Sequence, residues 1–514
     1  MQIASTPLII GAGPAGLTAA YELARHGHVG TVLESDSVVG GIARTVEREG
    51  YRFDIGGHRF FTKVKEIENL WDEMLGEPML NRPRLSRIYF GGKFYSYPLS
   101  ATNALKNMGP FTAMSCMLSY AGARLRPMAE PGNFEEWVTN QFGHKLYQMF
   151  FKSYTEKVWG CPCTEIGADW AAQRIRGLSL GEAVRNAVFG ARRGKVVTTL
   201  IDEFRYPRLG PGQLWEAAAR KITEKGWTVS MRSRVVGIET DGGRVTGVRV
   251  EKEGVTTRLP ATDVFSSMPL RHLLLAIDPP SPPAILQAAE QLKYRDFLTV
   301  ALVLDKPDLF PDNWIYIHEP EVRVGRIQNF GNWSPHLLAD PATMCLGLEY
   351  FVNEGDDLWS MPDEKLIALG FEELSRIGLA TAKLVKGFVV RIPKAYPVYD
   401  PGYKQRLDLI REWLTTLPNL YCIGRNGQHR YNNQDHSMAT ALIAARNVAL
   451  GESRDPWAVN EDAEYHEIAK TERHAPVLPA PKLTYLKAPG RGARAARAGD
   501  AIDSGLIESS AAKK

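Results

Sequence analysis

The chain is short of cysteine, of long apolar runs and of net charge, and each shortage excludes a class of protein. Five cysteines in 514 residues (Cys116, Cys161, Cys163, Cys345 and Cys422) do not make a disulfide framework. Cys161-Pro162-Cys163 has an intervening proline and no second ligand pair, so no metal site is expected. No apolar stretch reaches the roughly 18 residues needed to cross a bilayer, so no transmembrane segment is expected. A formal charge of +4, with no basic stripe carrying interleaved aromatics, offers no footprint for nucleic acid. Met1-Gln2-Ile3-Ala4 runs almost directly into an apolar strand, which leaves no room for a signal peptide and makes a cytoplasmic location the expectation. No internal repeat is visible. What is present, 44% apolar and 23% charged residues, is the make-up of a globular protein long enough to bury more than one core.

The most informative segment is Leu8-Ile9-Ile10-Gly11-Ala12-Gly13-Pro14-Ala15-Gly16. Leu8 to Ile10 read as a short buried strand, and Leu17, Ala20, Leu23 and Ala24 form an apolar helical stripe after it. The three glycines therefore sit where a strand turns into a helix. Gly11 allows the tight turn, Gly13 lets backbone approach a pyrophosphate, and Gly16 lets helix and strand pack closely. The phosphates would rest on the helix N-terminus, where free N–H groups and the dipole favour negative charge. The strand Thr31-Val32-Leu33 then delivers Glu34, about 20 residues on, to accept hydrogen bonds from ribose hydroxyls.

Glu34 followed by Gly40-Gly41 and Arg44-Thr45 resembles the glutathione-reductase type of FAD domain, in the branch that holds amine oxidases, protoporphyrinogen oxidases and UDP-galactopyranose mutases. The resemblance implies an α/β fold with a discontinuous, Rossmann-like FAD-binding domain and inserted substrate domains. It places Gly11, Gly13, Pro14, Ala15, Gly16, Glu34, Gly41, Arg44, Thr45, His58, Val236, Arg425, Ser437 and Met438 around FAD. The competing reading, a nicotinamide-binding domain with an accidental Gly-Gly turn, is disfavoured by the strand–helix–strand context.

Along the chain, residues 1–65, 205–270 and 406–455 read as three parts of the FAD domain. Residues 66–204 read as a mainly helical substrate-binding insertion, and 271–405 as a mixed α+β substrate domain. Within the second part, Asp241-Gly242-Gly243 between two alternating runs signals a hairpin. Asp263 to Pro269 resembles the strand and turn that return the family's chain to the cofactor. Phe297 to Leu304 reads as a buried strand. Residues 456–514 read as a C-terminal extension whose Pro, Ala, Gly and basic composition predicts disorder from about residue 475.

Beyond the FAD domain the chain resembles UDP-galactopyranose mutases. The segment from Gly143 to Gly160 matches the mutase run FFKGYTxKxWG except at Ser153. That resemblance implies a uridine pocket built from Phe150, Phe151 and Tyr154, with Trp159 near it. It also implies that Arg174 and Arg326 clamp a diphosphate, for which a planar guanidinium offers paired donors and permanent charge. In the block Gly424 to Tyr431, Arg425 holds the family's place beside the flavin and Tyr431 the place touching the diphosphate. Phe53 to Thr62 resembles the loop that brings histidine close to the isoalloxazine, and His58 matches it. Gly57 stands where mutases have alanine, and Phe61 where they have a second histidine. An Asn-Asn-Tyr-Phe stretch is not recognisable after Arg174, and Asn432 to His436 departs from the usual continuation.

What the resemblance implies for activity is a mutase-like enzyme that interconverts pyranose and furanose forms of a UDP-linked sugar, with N5 of reduced FAD as nucleophile. Its catalytic set would be His58, Arg174, Arg326 and Tyr431. The electrons would come from NAD(P)H at a site without a Rossmann motif, or from a partner, and a homodimer is compatible with the sequence. The alternative is an FAD-dependent oxidoreductase of the amine oxidase or protoporphyrinogen oxidase kind, favoured by Phe61 and the missing asparagines. A non-catalytic flavin-binding protein is the third reading.

Overall fold

Residues 6–97, 99, 101–168 and 203–459 are described by a computed structural model, and all of them fall in one compact unit. Arg174 and the basic run from Lys482 to Arg497 lie outside the described residues.

The first strand, Pro7–Ile10, is buried at every position. A strand covered on both faces reads as a continuous apolar run, and this one lies at the centre of a five-stranded parallel sheet. Its neighbours are Thr31–Leu33 on one side and Asp263–Ser266 on the other, with Thr228–Ser230 and Leu420–Cys422 at the edges. Three segments far apart in sequence thus meet in one sheet, all parallel, and their C-terminal ends open on the same crevice, where open α/β sheets bind ligands.

The helix Pro14–Arg25 begins with Gly13 at its N-cap and Pro14 in the first turn, a position that suits proline because no intrahelical N–H is lost there. Ala15, Ala19 and Ala20 are buried on it, and short side chains of this kind let the long helix Gln434–Leu450 pack alongside. Helix Gly212–Glu224 completes the layer, with Trp215 and Ile222 fully buried.

The Asp241-Gly242-Gly243 turn joins Arg234–Asp241 to Arg244–Lys252 in an antiparallel pair within a four-stranded sheet. The third large sheet has seven strands, with Tyr294–Leu304 and Met344–Val352 at its heart. The first of these contains the expected run Phe297 to Leu304, buried throughout. One difference from the helical expectation for residues 66–204 is plain. That stretch sends the hairpin Ser86–Phe90 and Lys93–Ser96 into the seven-stranded sheet, where Ser86–Phe90 runs parallel to Trp314–Ile317. The hairpin pairs locally, but it joins the sheet through Ser86–Phe90 and a partner more than 200 positions away, and strands this short carry too little local pattern to compete with the helices around them.

Candidate functional site

A cleft of about 1110 Å³ runs from the C-terminal ends of the parallel strands to the seven-stranded sheet. At the parallel sheet its walls are the glycine turn and helix N-terminus (Gly11, Gly13, Pro14, Ala15), with Glu34 and Val236. Gly11 adopts φ +97°, and a β-carbon there would sit 2.2 Å from Ser267 Oγ. Gly16 has its back to the cleft. Its own β-carbon would lie 1.8 Å from Gly11 O, so this glycine serves helix-to-strand packing. No side chain caps the helix Pro14–Arg25, which leaves its first N–H groups to a ligand such as a phosphate. Glu34 is almost fully buried. One carboxylate oxygen accepts from Ala12 N–H at 2.7 Å and the other from Asp36 N–H at 2.8 Å, so the side chain is fixed before any ribose reaches it.

Further along lie Gly41, Ile42 and Ala43, then His58 after the hairpin Thr45–Arg48 and Tyr51–Asp54. His58 Nδ1 is buried and makes no geometrically good hydrogen bond to a described residue, with the Gly56 backbone within polar reach of the ring. Burial, with Arg425 and Arg326 adding repulsion, pushes its pKa down to about 3, so the ring is neutral at ordinary pH. A neutral imidazole with an open nitrogen can donate or accept one hydrogen bond in the cleft.

At the sheet end, Arg326 comes from the start of Arg326–Asn329, and Glu349 from the paired position on Met344–Val352. Arg326 Nε donates to Glu349 Oε2, and Gln328 Nε2 donates to Glu349 Oε1 at 2.9 Å. Burial opposes the charge on Arg326, but Glu349 and the tyrosines around it outweigh that cost and raise its pKa well above the usual value. The bond through Nε leaves the terminal nitrogens of a permanently charged fork for a ligand. Tyr396 and Tyr431 stack beside it, centroids 5.7 Å apart at 16°. Arg425 lies 4.3 Å over the Tyr431 ring, its guanidinium donating to Asn432 O and Ala395 O.

Of the residues expected from sequence, Gly11, Gly13, Pro14, Ala15, Glu34, Gly41, His58, Val236, Arg326, Arg425, Tyr431 and Ser437 line this one cleft. Others sit elsewhere, each for a visible reason. Arg44 is ion-paired with Asp36. Thr45 Oγ1 accepts from Gly212 N–H and bonds the buried Asp54. Met438 is wholly buried, with Trp71 Nε1 donating to its sulfur at 3.0 Å. The four aromatics of the expected uridine pocket are also absent from the cleft wall. Phe150 packs edge-on against Tyr95, Phe151 stacks on Phe142, and Trp159 packs with the same apolar cluster. Tyr154 stacks on His318, meets the cleft residue Tyr316 edge-on, and lies close enough to Arg326 and Tyr396 for their charges to act on its hydroxyl. Apolar rings on a helix gain by packing on the core beneath it; Phe150 is buried there, while Phe151, Tyr154 and Trp159 are half-buried.

Sequence reasoning passed over Tyr316, Gln328, Glu349 and Tyr396. Glu349 alone left a signal, as the one acid in the buried run Met344-Cys345-Leu346-Gly347-Leu348-Glu349-Tyr350-Phe351-Val352. A carboxylate in such a strand needs a partner.

A family profile for flavin-containing amine oxidoreductase matches residues 14–449. The probable UDP-galactopyranose mutase of Klebsiella pneumoniae is 28% identical over 172 residues, 31% of this chain and 42% of that protein. The L-amino-acid oxidase of Crotalus adamanteus is 44% identical over 73 residues, 14% of each chain. The chain thus spans less than two thirds of the length of these curated relatives. Among solved structures, reduced UDP-galactopyranose mutase superposes with a TM-score of 0.76 over 89% of this chain and 98% of its own, at 24% identity. Putrescine oxidase bound to putrescine superposes with a TM-score of 0.57 over 87% and 98%, at 17% identity. At such identities the likeness establishes the fold, with its parallel sheet and added layers. The profile runs from the first helix into the last, across both Glu34 and the Arg326 sheet, and the chain therefore belongs to the family of flavin-containing amine oxidoreductases as a flavin-dependent enzyme.

Proposed function

We propose that the chain binds FAD and interconverts the pyranose and furanose forms of a nucleotide-linked sugar. FAD fits the residues present. The uncapped helix N-terminus suits its pyrophosphate, the fixed Glu34 its ribose, and the open Nδ1 of His58 its ring system. When bound and reduced, FAD supplies a nucleophilic nitrogen, N5. The observation that carries the sugar-nucleotide reading is Arg326, held through Nε by Glu349 with its terminal nitrogens left for the cleft beside the Tyr396–Tyr431 pair. A departing diphosphate gathers charge, and a preorganised guanidinium that keeps its proton stabilises it. Tyr431 would add a hydrogen bond, and Arg174 a second cation. Neutral His58 would hold or pass a proton at Nδ1. Glu349 keeps the Arg326 fork aimed, and the surrounding rings exclude water.

A second reading, an FAD-dependent oxidoreductase, is favoured by one observation: among the described residues, Phe150, Phe151, Tyr154 and Trp159 are not part of the cleft wall. The deciding experiment is anaerobic. Yellow protein, with and without dithionite, is mixed with UDP-galactofuranose, and the products are separated by anion exchange. Conversion to the pyranose in the reduced sample alone supports the proposal. No conversion, with a flavin spectrum that does not respond to UDP, overturns it in favour of the oxidoreductase. Arg326→Ala should lower kcat by about 100- to 1000-fold, the cost of one well-placed oxyanion donor.

A further inference from the structure

The helix Pro110–Leu125 is apolar on both sides. Its inner side buries Ala113 and Cys116 against helices Phe134–Phe142 and His144–Tyr147. Its outer side carries Phe111, Leu118 and Leu125 at 91%, 67% and 81% exposure, with Met114 between them. At about 100° per residue these four fall within roughly 60° of one another, forming one stripe along 16 residues. Met117 flanks the stripe, and Met128 extends the exposed apolar surface just past the helix. Single exposed apolar residues are ordinary, whereas a contiguous row of this length is the mark of a surface that meets something.

Charge indicates what it meets. No acidic residue occurs between Glu77 and Glu130, a stretch that carries seven basic ones. Four of these are exposed and bracket the helix, with Lys93 and Lys106 at its N-terminal end and Arg124 and Arg126 at its C-terminal end. Lys93 Nζ reaches Asn107 O at 2.7 Å, which fixes it beside the turn into the helix. Of the acids that follow, Glu130 is exposed in the loop past Met128, while Glu135 and Glu136 are on the neighbouring helix, bonded to Tyr147 and to Gly132. A second copy meeting this face through a twofold axis would set basic fringe against basic fringe. Anionic phosphates outside, with acyl chains within, complement both the fringe and the stripe. No helix among the described residues is long and apolar enough to cross a membrane, so the geometry is that of a helix lying in the interface.

We propose that the helix Pro110–Leu125 docks the enzyme on the surface of a bilayer containing anionic phospholipid. Phe111, Met114, Leu118 and Leu125 enter the acyl boundary, while Lys106, Arg124 and Arg126 pair with headgroup phosphates. The test is flotation of the full-length flavoprotein with vesicles of phosphatidylcholine alone, or with about 30% phosphatidylglycerol added. The parent should float with the anionic vesicles at least roughly tenfold more than with the neutral ones, and high salt should reduce this. Phe111→Ser with Leu118→Ser, and separately Arg124→Glu with Arg126→Glu, should each lose roughly tenfold in bound fraction. Both pairs are exposed, so yellow colour and thermal midpoint should match the parent. A parent that does not float with anionic vesicles overturns the proposal, as does a serine variant that floats like the parent. Sedimentation showing a dimer that the serine variant dissociates, without vesicle binding, assigns the face to a second copy and also overturns it.

Discussion

Gly13 and Gly16 belong to one turn, yet their surroundings differ. Gly13 has φ −84° and ψ −173°, a conformation open to any residue, and a β-carbon on it would meet Gly41 Cα at an ordinary 3.7 Å. Gly16 has no such room beside Gly11 O. Gly13→Ala should therefore leave the apoprotein's stability within about 0.5 kcal/mol while yielding colourless protein, because only the approach of the pyrophosphate is blocked. Gly16→Ala should cost about 1–3 kcal/mol as helix and strand are forced apart. Urea denaturation of the two apoproteins, together with their flavin absorbance, checks this. Equal stability losses, or a yellow Gly13→Ala protein, would refute the division of labour. The identity of these glycines was plain in sequence, since a strand, a turn and a helix follow within a dozen residues. The pairing of Arg326 with Glu349 was not, because it depends on the register between two strands.

At the scale of elements, Lys157 ties the helix Ser153–Trp159 to the turn between Trp314–Ile317 and Arg326–Asn329 of the seven-stranded sheet. Its Nζ donates to three backbone carbonyls, of Ile317, Glu319 and Val324, at 3.2, 2.6 and 3.1 Å. Burial lowers its pKa to about 8, and those carbonyls together with nearby acids compensate the remaining charge. The same clamp sets Tyr154 against His318, with rings 5.0 Å apart and nearly parallel. Lys157→Met keeps the apolar stem but leaves the carbonyls unpaired, and should cost about 2 kcal/mol in urea denaturation. A loss under about 0.5 kcal/mol would show that water replaces the ammonium at little cost. This element was legible as a helix with aromatic residues, but its facing partner was not. The sheet residue that Tyr154 meets lies more than 160 positions away, and a helix face does not declare whether it covers core or lines a cavity.

For the whole molecule, four buried groups lead the response to pH between about 4 and 8. Burial pushes His58 and His318 down to about 3 and His429 to about 4, while it pushes Asp54, bonded to Tyr206 and Thr45, up to about 8. Unfolding returns the histidines to about 6.5, so the unfolded chain binds extra protons below that pH and stability falls as pH drops. Asp54 works in the other direction. It is protonated in the folded protein and ionised in the unfolded chain between about pH 4 and 8, so stability falls as pH rises through that window. The thermal midpoint should therefore peak near about pH 6.5, where the histidine limb levels off. Asp54→Asn, which keeps the hydrogen bond from Tyr206, should remove the decline between about pH 6.5 and 8 and leave the acid limb in place. An unchanged alkaline decline in that variant would exclude Asp54 as its source. By itself the sequence determined the nucleotide-binding turn and the parallel strands around it, because these rest on local spacing: a buried strand, three glycines, a helix, an acid at the end of the next strand. The flavin family came from the resemblance carried by Gly40-Gly41 and Arg44-Thr45. Only the tertiary structure decided which side chains face the cleft. Gln328 and Tyr396 reach it through strand register and sheet order, with Glu349 buried behind them to hold Arg326, while Phe150, Phe151, Tyr154 and Trp159 lie off its wall. Contacts between distant segments are fixed by how whole elements pack, and no local pattern carries that information.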